Sequence, residues 1–278
     1  MPELPETETI ARDLDEEIRG AIIEGVTVLR HDVLREEDDA GFARLLTGTQ
    51  ITRVWRRAKL IVLDVSADND TRHLVVQPRF TGGLFIERDA TPAEIGDYVC
   101  LSLPLADGRR LHYRDVRRLG TVALMSTARF AEYSGALGPE PLDPALGDTE
   151  LSVLLRASRQ PVKVALMDQR RLAGVGNIYA NEALFWAGID PSREARSLSF
   201  DEVSSLRQAL CTVLTASIAA RGTSFRDYRD ARGERGRFVE QLAAYGRAGA
   251  PCARCQRRLV GTHAIDGRST VFCPSCQR

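Results

Sequence analysis

Residues 252–276 read CARCQRRLVGTHAIDGRSTVFCPSC, two Cys-x2-Cys pairs separated by 17 residues. Two such knuckles on facing turns place four thiolates tetrahedrally around Zn²⁺, so Cys252, Cys255, Cys273 and Cys276 form a candidate ligand set. Between them LVGTHAIDGRSTVF reads as two short strands joined by a turn at Asp266-Gly267, the hairpin that brings the knuckles together. All four positions around the metal are cysteine, so the one Zn²⁺ is structural and the chemistry must lie elsewhere. About 30 residues cannot build a core of their own, and metal binding is expected to be part of this module's folding energy. Two disulfides or four free thiols are the competing readings. The remaining two of the six cysteines, Cys100 and Cys211, stand alone in apolar stretches. The chain also opens Met1-Pro2-Glu3-Leu4-Pro5-Glu6, acidic where an export signal would be basic. Both features point to a reduced compartment and a metal, and to a cytoplasmic protein.

Upstream of this module (residues 247–278) the charge changes sign. Residues 221–278 hold 12 arginines against 5 acidic residues, a net charge of +7, while the first 220 carry −7 and the whole chain sums to zero. A local basic face of this kind suits a nucleic-acid partner even in a neutral chain. Residues 221–237 (RGTSFRDYRDARGERGR) are basic, glycine-containing and poor in apolar residues, which reads as a mobile loop. Helical periodicity covers roughly 150–157, 161–169, 177–187 and 200–218. A stretch rich in Gly, Pro and acidic residues, 131–149, reads as a linker. Before it come short β-branched or aromatic runs: Ile51–Val54, Leu60–Val65, His73–Val76, Leu84–Ile86, Tyr98–Leu103 and Arg110–Tyr113. Turn signals such as Ala67-Asp68-Asn69-Asp70 and Ala106-Asp107-Gly108 separate them. An amphipathic helix over 7–18, with Ile10, Leu14 and Ile18 on one face, precedes the runs. The expected fold is α+β and multidomain. It comprises an N-terminal two-layer β-sandwich with a leading helix (1–130), a helical domain (150–246) and a C-terminal β-hairpin zinc finger. No apolar run approaches the roughly 20 residues that cross a bilayer, so no membrane is expected. Lysine occurs only at 59 and 163, which makes each worth a question.

Several short motifs follow one another in order. They are Pro2-Glu3-Leu4-Pro5-Glu6, Arg56-Arg57-Ala58-Lys59, the octet Tyr113-Arg114-Asp115-Val116-Arg117-Arg118-Leu119-Gly120, and Leu166-Met167-Asp168-Gln169. Then come Ala173-Gly174-Val175-Gly176-Asn177-Ile178-Tyr179, Glu182-Ala183-Leu184, Tyr245-Gly246-Arg247 and Gly267-Arg268-Ser269-Thr270. The set resembles the formamidopyrimidine-DNA glycosylase family, including its endonuclease VIII branch, over essentially the whole length. The resemblance implies a bifunctional glycosylase and abasic-site lyase acting on double-stranded DNA that contains oxidised bases or abasic sites. It makes the helical part a helix–two-turns–helix domain and 221–237 the loop that covers an extruded base.

The same resemblance assigns roles residue by residue. Pro2, exposed by removal of Met1, is the nucleophile; its secondary amine should titrate near the α-amine range of about 7.7–8.0, leaving a neutral fraction at pH 7. Glu3 is the acid/base, with Glu6 in support, although either glutamate alone reads as a charge complementing a helix dipole. Lys59 is counted with Pro2 and Glu3 among the catalytic residues, and binds phosphate from a strand of the first domain. Asn177 is a plausible N-cap after a tight Gly turn, and presents helix N–H groups to a phosphate. Arg268, on the finger's turn, holds the same phosphates and pinches the backbone so that the base flips out. Phe80, Arg117 and Leu119 fill the void left by the base; core packing is the plain reading of Phe80. Thr223, Ser224, Arg226 and Tyr228 are candidates to donate to a purine edge.

Here the chain departs from the commoner pattern. Leu119 stands where oxidised-purine enzymes often carry Phe, Phe80 where they usually carry Met, and Gln77-Pro78-Arg79 replaces a His-Leu-Gly stretch. Leu4-Pro5 favours the oxidised-purine branch, with 8-oxoguanine and formamidopyrimidines as substrates. The altered wedge keeps an oxidised-pyrimidine glycosylase as the alternative, and a lesion-binding protein without catalysis is the third reading. One asymmetric clamp around one lesion implies a monomer.

Overall fold

A computed structural model describes residues 2–68, 70–87 and 96–278. Met1, whose loss the nucleophile reading requires, and Asn69 of the turn expected at 67–70 lie outside the described residues. The chain divides into two compact units, one running to Gly135 and including Ala220–Arg237, the other comprising Ala136–Ala219 and Phe238–Arg278.

The first unit opens with helix α1 (Leu4–Ile18), three residues earlier than the periodicity suggested. Its start is fixed by a reciprocal pair. The Glu3 side chain accepts the Glu6 backbone N–H, and the Glu6 side chain accepts the Glu3 N–H, with Pro5 in the first turn. Ile10, Leu14 and Ile18 are fully buried, as their spacing requires. Strands β1 (Thr27–Val28) and β2 (Leu34–Arg35) and helix α2 (Asp39–Leu46) follow. Then come β3 (Gln50–Arg57), β4 (Leu60–Ala67), β5 (Asp70–Gln77), β6 (Gly82–Glu87), β7 (Val99–Pro104), β8 (Arg110–Asp115), β9 (Thr121–Ser126) and helix α3 (Thr127–Gly135).

The strands form two sheets, β2-β9-β5-β4-β3 and β1-β7-β8-β6, antiparallel except for the β2–β9 pair. Ile61, Leu63, Leu74, Val76 and Leu124 of one sheet share a core with Leu84, Leu101, Leu103, Leu111 and Tyr113 of the other. The two-layer sandwich expected from the short strands is therefore present. Ile10, Leu14 and Ile18 of α1 and Phe42 and Leu46 of α2 join the same core.

Two elements extend or displace the expected boundaries. The first five residues of the stretch expected as a linker are helical. Phe130 of α3 stacks against His73 (ring centroids 4.7 Å) and edge-on to Trp55 (5.6 Å), which pins α3 to the sheet. Residues 220–237, placed by sequence with the helical domain, group with the sandwich instead, because Tyr228 and Ala231 enter its core.

The second unit contains α4 (Asp148–Arg156), α5 (Val162–Met167), α6 (Asn177–Ala187) and α7 (Phe200–Ala219), then strands β10 (Val260–Thr262) and β11 (Thr270–Phe272). Their buried faces carry Leu151, Leu155, Val162, Leu166, Leu184, Leu206, Leu210 and Leu214, and Tyr179 is hydrogen-bonded to Ser217 (2.6 Å) across α6 and α7. The antiparallel β10–β11 hairpin packs with Phe185, Ala243 and Ala244 around Cys252 and Cys273. Among the described residues no helix is long and apolar enough to cross a membrane.

Candidate functional site

In the first unit the chemistry-bearing residues begin at the head of α1. Pro2, Glu3 and Glu6 are all buried, Glu3 to 2% and Glu6 to 1% exposure. The Glu6 carboxylate accepts the Glu3 N–H through Oε2 (2.9 Å) and the Thr223 N–H through Oε1 (2.7 Å). Tyr228 donates its hydroxyl to the Glu6 carbonyl (3.4 Å). Glu6 therefore fastens the N-terminal residues to the 221–237 segment. Glu3 is the N-cap and Glu6 the N3 residue of α1, so both carboxylates lie at a helix start while being buried.

Lys59 does not lie on a strand. It occupies the two-residue turn between β3 and β4, where Arg57 pairs with Leu60 and Ala58 has φ of +53°. Arg56 donates to Glu8 of α1 (2.7 Å) and to the Ala58 carbonyl (3.0 Å), so this turn is tied to the helix that Glu3 caps and that carries Glu6. Burial alone would raise the Glu8 carboxyl, but Arg56 and Arg12 outweigh it and hold the group below its ordinary value.

Phe80 lies in the connection 78–81 between β5 and β6, and Arg117 and Leu119 lie in the connection 116–120 between β8 and β9. Core packing of Phe80 does not occur: the ring is 43% exposed, as is Leu119. The Arg117 guanidinium lies 4.6 Å from the Phe80 ring centre, a cation–π contact. Asp115, a residue that sequence reasoning quoted but gave no role, is 1% exposed beneath this pair.

Of the four loop candidates only Arg226 offers an exposed side chain. Ser224 donates to the Tyr228 carbonyl (2.8 Å) and accepts the Gly236 N–H (2.9 Å), and Thr223 and Tyr228 are buried against α1. Burial and the Glu6 charge push the Tyr228 hydroxyl well above its ordinary value, so it stays protonated. Arg221 ties the segment further to Asp13 of α1 and to Asp230.

In the second unit α5 and α6 are joined by two tight turns. Gln169 donates to the Met167 (2.8 Å) and Val175 (2.9 Å) carbonyls and accepts the Gly174 N–H (2.9 Å), clipping both turns. Gly174 needs its glycine because φ is +86°. Asn177 is not the N-cap of α6. Gly176 holds that position without a side-chain cap, and Asn177 is the first helical residue. Its amide instead donates to the Ser269 carbonyl (3.0 Å), the neighbour of exposed Arg268. Asn181 accepts the Val271 N–H (2.8 Å), giving α6 a second hold on β11.

Lys163, which stood out by scarcity alone, is fully buried and donates to Thr270 Oγ1 (2.7 Å), Asp266 (3.3 Å) and the Ser269 carbonyl (3.4 Å). It secures the turn that bears Arg268. Glu182 is likewise buried and accepts the N–H groups of Ala243 (2.8 Å), Ala244 (2.9 Å) and Tyr245 (2.7 Å), with burial raising its pKa. Scarcity could have found Lys163; Asp115 and Glu182 stood inside the quoted motifs, but no role was attached to either.

The four cysteines have Sγ atoms within 4.8 Å of one another. The Cys252–Cys276 and Cys255–Cys273 separations are 4.0 and 3.5 Å. Zinc–sulfur bonds of about 2.3 Å make a tetrahedron with edges of about 3.8 Å, so the set has the right size and chemistry for that ion.

Comparison with known proteins adds the following. The description "Formamidopyrimidine-DNA glycosylase N-terminal domain" matches residues 1–122. "Formamidopyrimidine-DNA glycosylase H2TH domain" matches 137–229. The formamidopyrimidine-DNA glycosylase of Desulfitobacterium hafniense is 40% identical over all of both chains. That of Moorella thermoacetica is 45% identical over 93% of each. The crystal structure of a mutant Lactococcus lactis FPG in complex with Fapy-dG containing DNA covers 100% of both chains with 30% identity and a TM-score of 0.91.

Proposed function

The chain belongs to the formamidopyrimidine-DNA glycosylase family, and from that premise we propose that it excises oxidised purines, 8-oxoguanine and formamidopyrimidines, from duplex DNA with Pro2 as nucleophile. The observation that carries the reading is the Glu6 bridge. One buried carboxylate holds both the N-terminal residues and the 221–237 segment, so the amine and the loop assigned to cover the base are set against one another within one unit.

In this scheme the lone pair of the neutral Pro2 amine attacks C1′ of the lesion nucleotide, and the base leaves with the C1′–N pair and a proton. Glu3 protonates the sugar ring oxygen as the ring opens, leaving an iminium at C1′. Loss of the C2′ proton expels the 3′ phosphate, and a second elimination expels the 5′ phosphate. Lys59, Asn177 and Arg268 bind the backbone phosphates. The α6 N-terminus adds the positive end of its dipole, and the hydrogen bond of Asn177 beside Arg268 supports their joint action. Arg117, Phe80 and Leu119 enter the stack where the base was. Exposed Arg226 is the loop side chain best placed to meet a ligand. Cys252, Cys255, Cys273 and Cys276 hold one Zn²⁺, which shapes the hairpin and takes no part in the reaction. The protein acts as a monomer in the bacterial cytoplasm, at the nucleoid.

Borohydride trapping tests the scheme. Purified protein is offered duplexes bearing 8-oxoguanine opposite cytosine or an oxidised pyrimidine, and mass spectrometry locates the adduct. An adduct at Pro2 on the purine duplex, absent from P2A, is expected. Trapping confined to the pyrimidine duplex would transfer the assignment to the alternative that the Phe80–Leu119 departures keep in view. No adduct on either, from metal-loaded protein that has lost Met1, leaves a lesion-binding protein without catalysis.

A further inference from the structure

Deepening the proposed reading, on which it rests, we infer that Asp115 is a positioning residue that sets the base-void wedge in its working shape before DNA is bound. The Asp115 carboxylate ends β8 and receives four donors. Thr81 Oγ1 (2.6 Å) and the Arg117 N–H (3.1 Å) reach Oδ1; the Gly120 N–H (2.8 Å) and the Tyr113 hydroxyl (3.1 Å) reach Oδ2. Thr81 Oγ1 also accepts the Arg117 N–H (3.0 Å). Thr81 adjoins Phe80, and Arg117 and Gly120 flank Leu119. A single buried carboxylate thus ties together the two connections that bear the wedge.

Three further observations show what the clamp holds. Phe80 and Arg118 have φ of +49° and +51°, a region that non-glycine residues enter at a cost and keep only when their surroundings impose it. Phe80, Val116 and Leu119 are 43, 42 and 43% exposed, so large apolar side chains are held out to solvent instead of turning inward. A Cβ on Gly120 would lie 2.0 Å from the Tyr113 hydroxyl and 2.7 Å from the Gln77 carbonyl, so the second connection closes directly onto the clamp. Burial and the Asp115 charge push the Tyr113 hydroxyl far above its ordinary range, and it remains a donor.

Four donors need an acceptor on every side, which a carboxylate provides and an amide does not. The ordering of the wedge is therefore completed on folding and is not left to binding. The effect belongs to the step in which a base leaves the stack. A site that already lacks its base depends on it less.

The test uses full-length, metal-loaded D115N and T81V, the second sparing the carboxylate in case the first fails to fold. Single-turnover cleavage is compared on a duplex bearing 8-oxoguanine and on one with a preformed abasic site. Unstacking is followed by 2-aminopurine fluorescence beside the lesion. Base excision is expected to fall about 10- to 100-fold in D115N, equivalent to one or two decades of barrier, with abasic cleavage falling at least tenfold less. The fluorescence rise on binding is expected to be lost. T81V shows the same split more weakly, and T81S restores it. Equal losses on the two duplexes in both variants, or an unchanged fluorescence rise, would overturn the assignment. If the wild type binds and unstacks the base without cutting, the catalytic reading fails, while the fluorescence comparison still decides the role of Asp115.

Discussion

At the head of α1, the Glu6 side chain reaches a backbone group 217 positions away in sequence, accepting the N–H of Thr223 on one oxygen and that of nearby Glu3 on the other. A carboxylate with two charge-assisted bonds at 1% exposure has no water to replace it. Shortening it to alanine strands two buried N–H groups at about 1–3 kcal/mol each. E6A is therefore expected to lose roughly 2–5 kcal/mol in urea denaturation, as a lower midpoint with an unchanged slope. A loss under about 1 kcal/mol would mean that another acceptor takes over and that the bridge is incidental. Glu3 and Glu6 were visible in the sequence as a helix start. Their second partner was not, because a backbone N–H carries no residue signature.

Between α1 and β3 the Arg56–Glu8 pair tests how elements are joined. Glu8 is held below its ordinary 4.5, so its contribution is present above that pH and disappears as pH falls through the lower folded value. A pair partly open to solvent is worth about 1 kcal/mol or less. E8Q should accordingly melt roughly 2–4 °C lower than wild type at neutral pH, with the gap closing as the pH falls below the ordinary carboxylate value of 4.5. A gap that stays constant with pH would show that Glu8 acts by packing and not by charge. The elements themselves were legible where the signal was local. The cysteine spacing gave the finger, and the four-residue periodicity of Ile10, Leu14 and Ile18 gave α1. Strand β9 escaped because four consecutive residues, Val122–Met125, are buried and leave no alternation to read. Helix α2 is short, though Asp38 caps it by accepting the Gly41 N–H (2.8 Å), a start signal that could have been used. Lys59 fell on a turn because Ala58 adopts a left-handed backbone that its side chain does not announce. Asn177 was displaced from the cap by one residue, which turned its amide from the helix end to the finger.

For the whole molecule, neutrality overall conceals a cationic C-terminal fifth, and binding to DNA should weaken steeply with salt. If Lys59 and Arg268 each neutralise a phosphate, K59A and R268A should each reduce the slope of log affinity against log salt by about one, on any duplex sequence. An unchanged slope in either variant would remove that residue from the phosphate contacts. The segment 221–237, read by sequence as a loop of the helical domain, groups by its contacts with the first unit, because Tyr228 and Ala231 enter that core and Thr223, Arg221 and Arg232 bond to α1; basic composition does not announce such attachments. That attachment has a consequence for synthesis. The ribosome must deliver 237 of the 278 residues before the first unit has all its parts, and by then α4 to α7 have already emerged. Order of translation is thus not order of completion. The sandwich, made first, is finished late, and a nascent chain that stalls anywhere before Ala220 holds helix α1 without the segment that bonds to it.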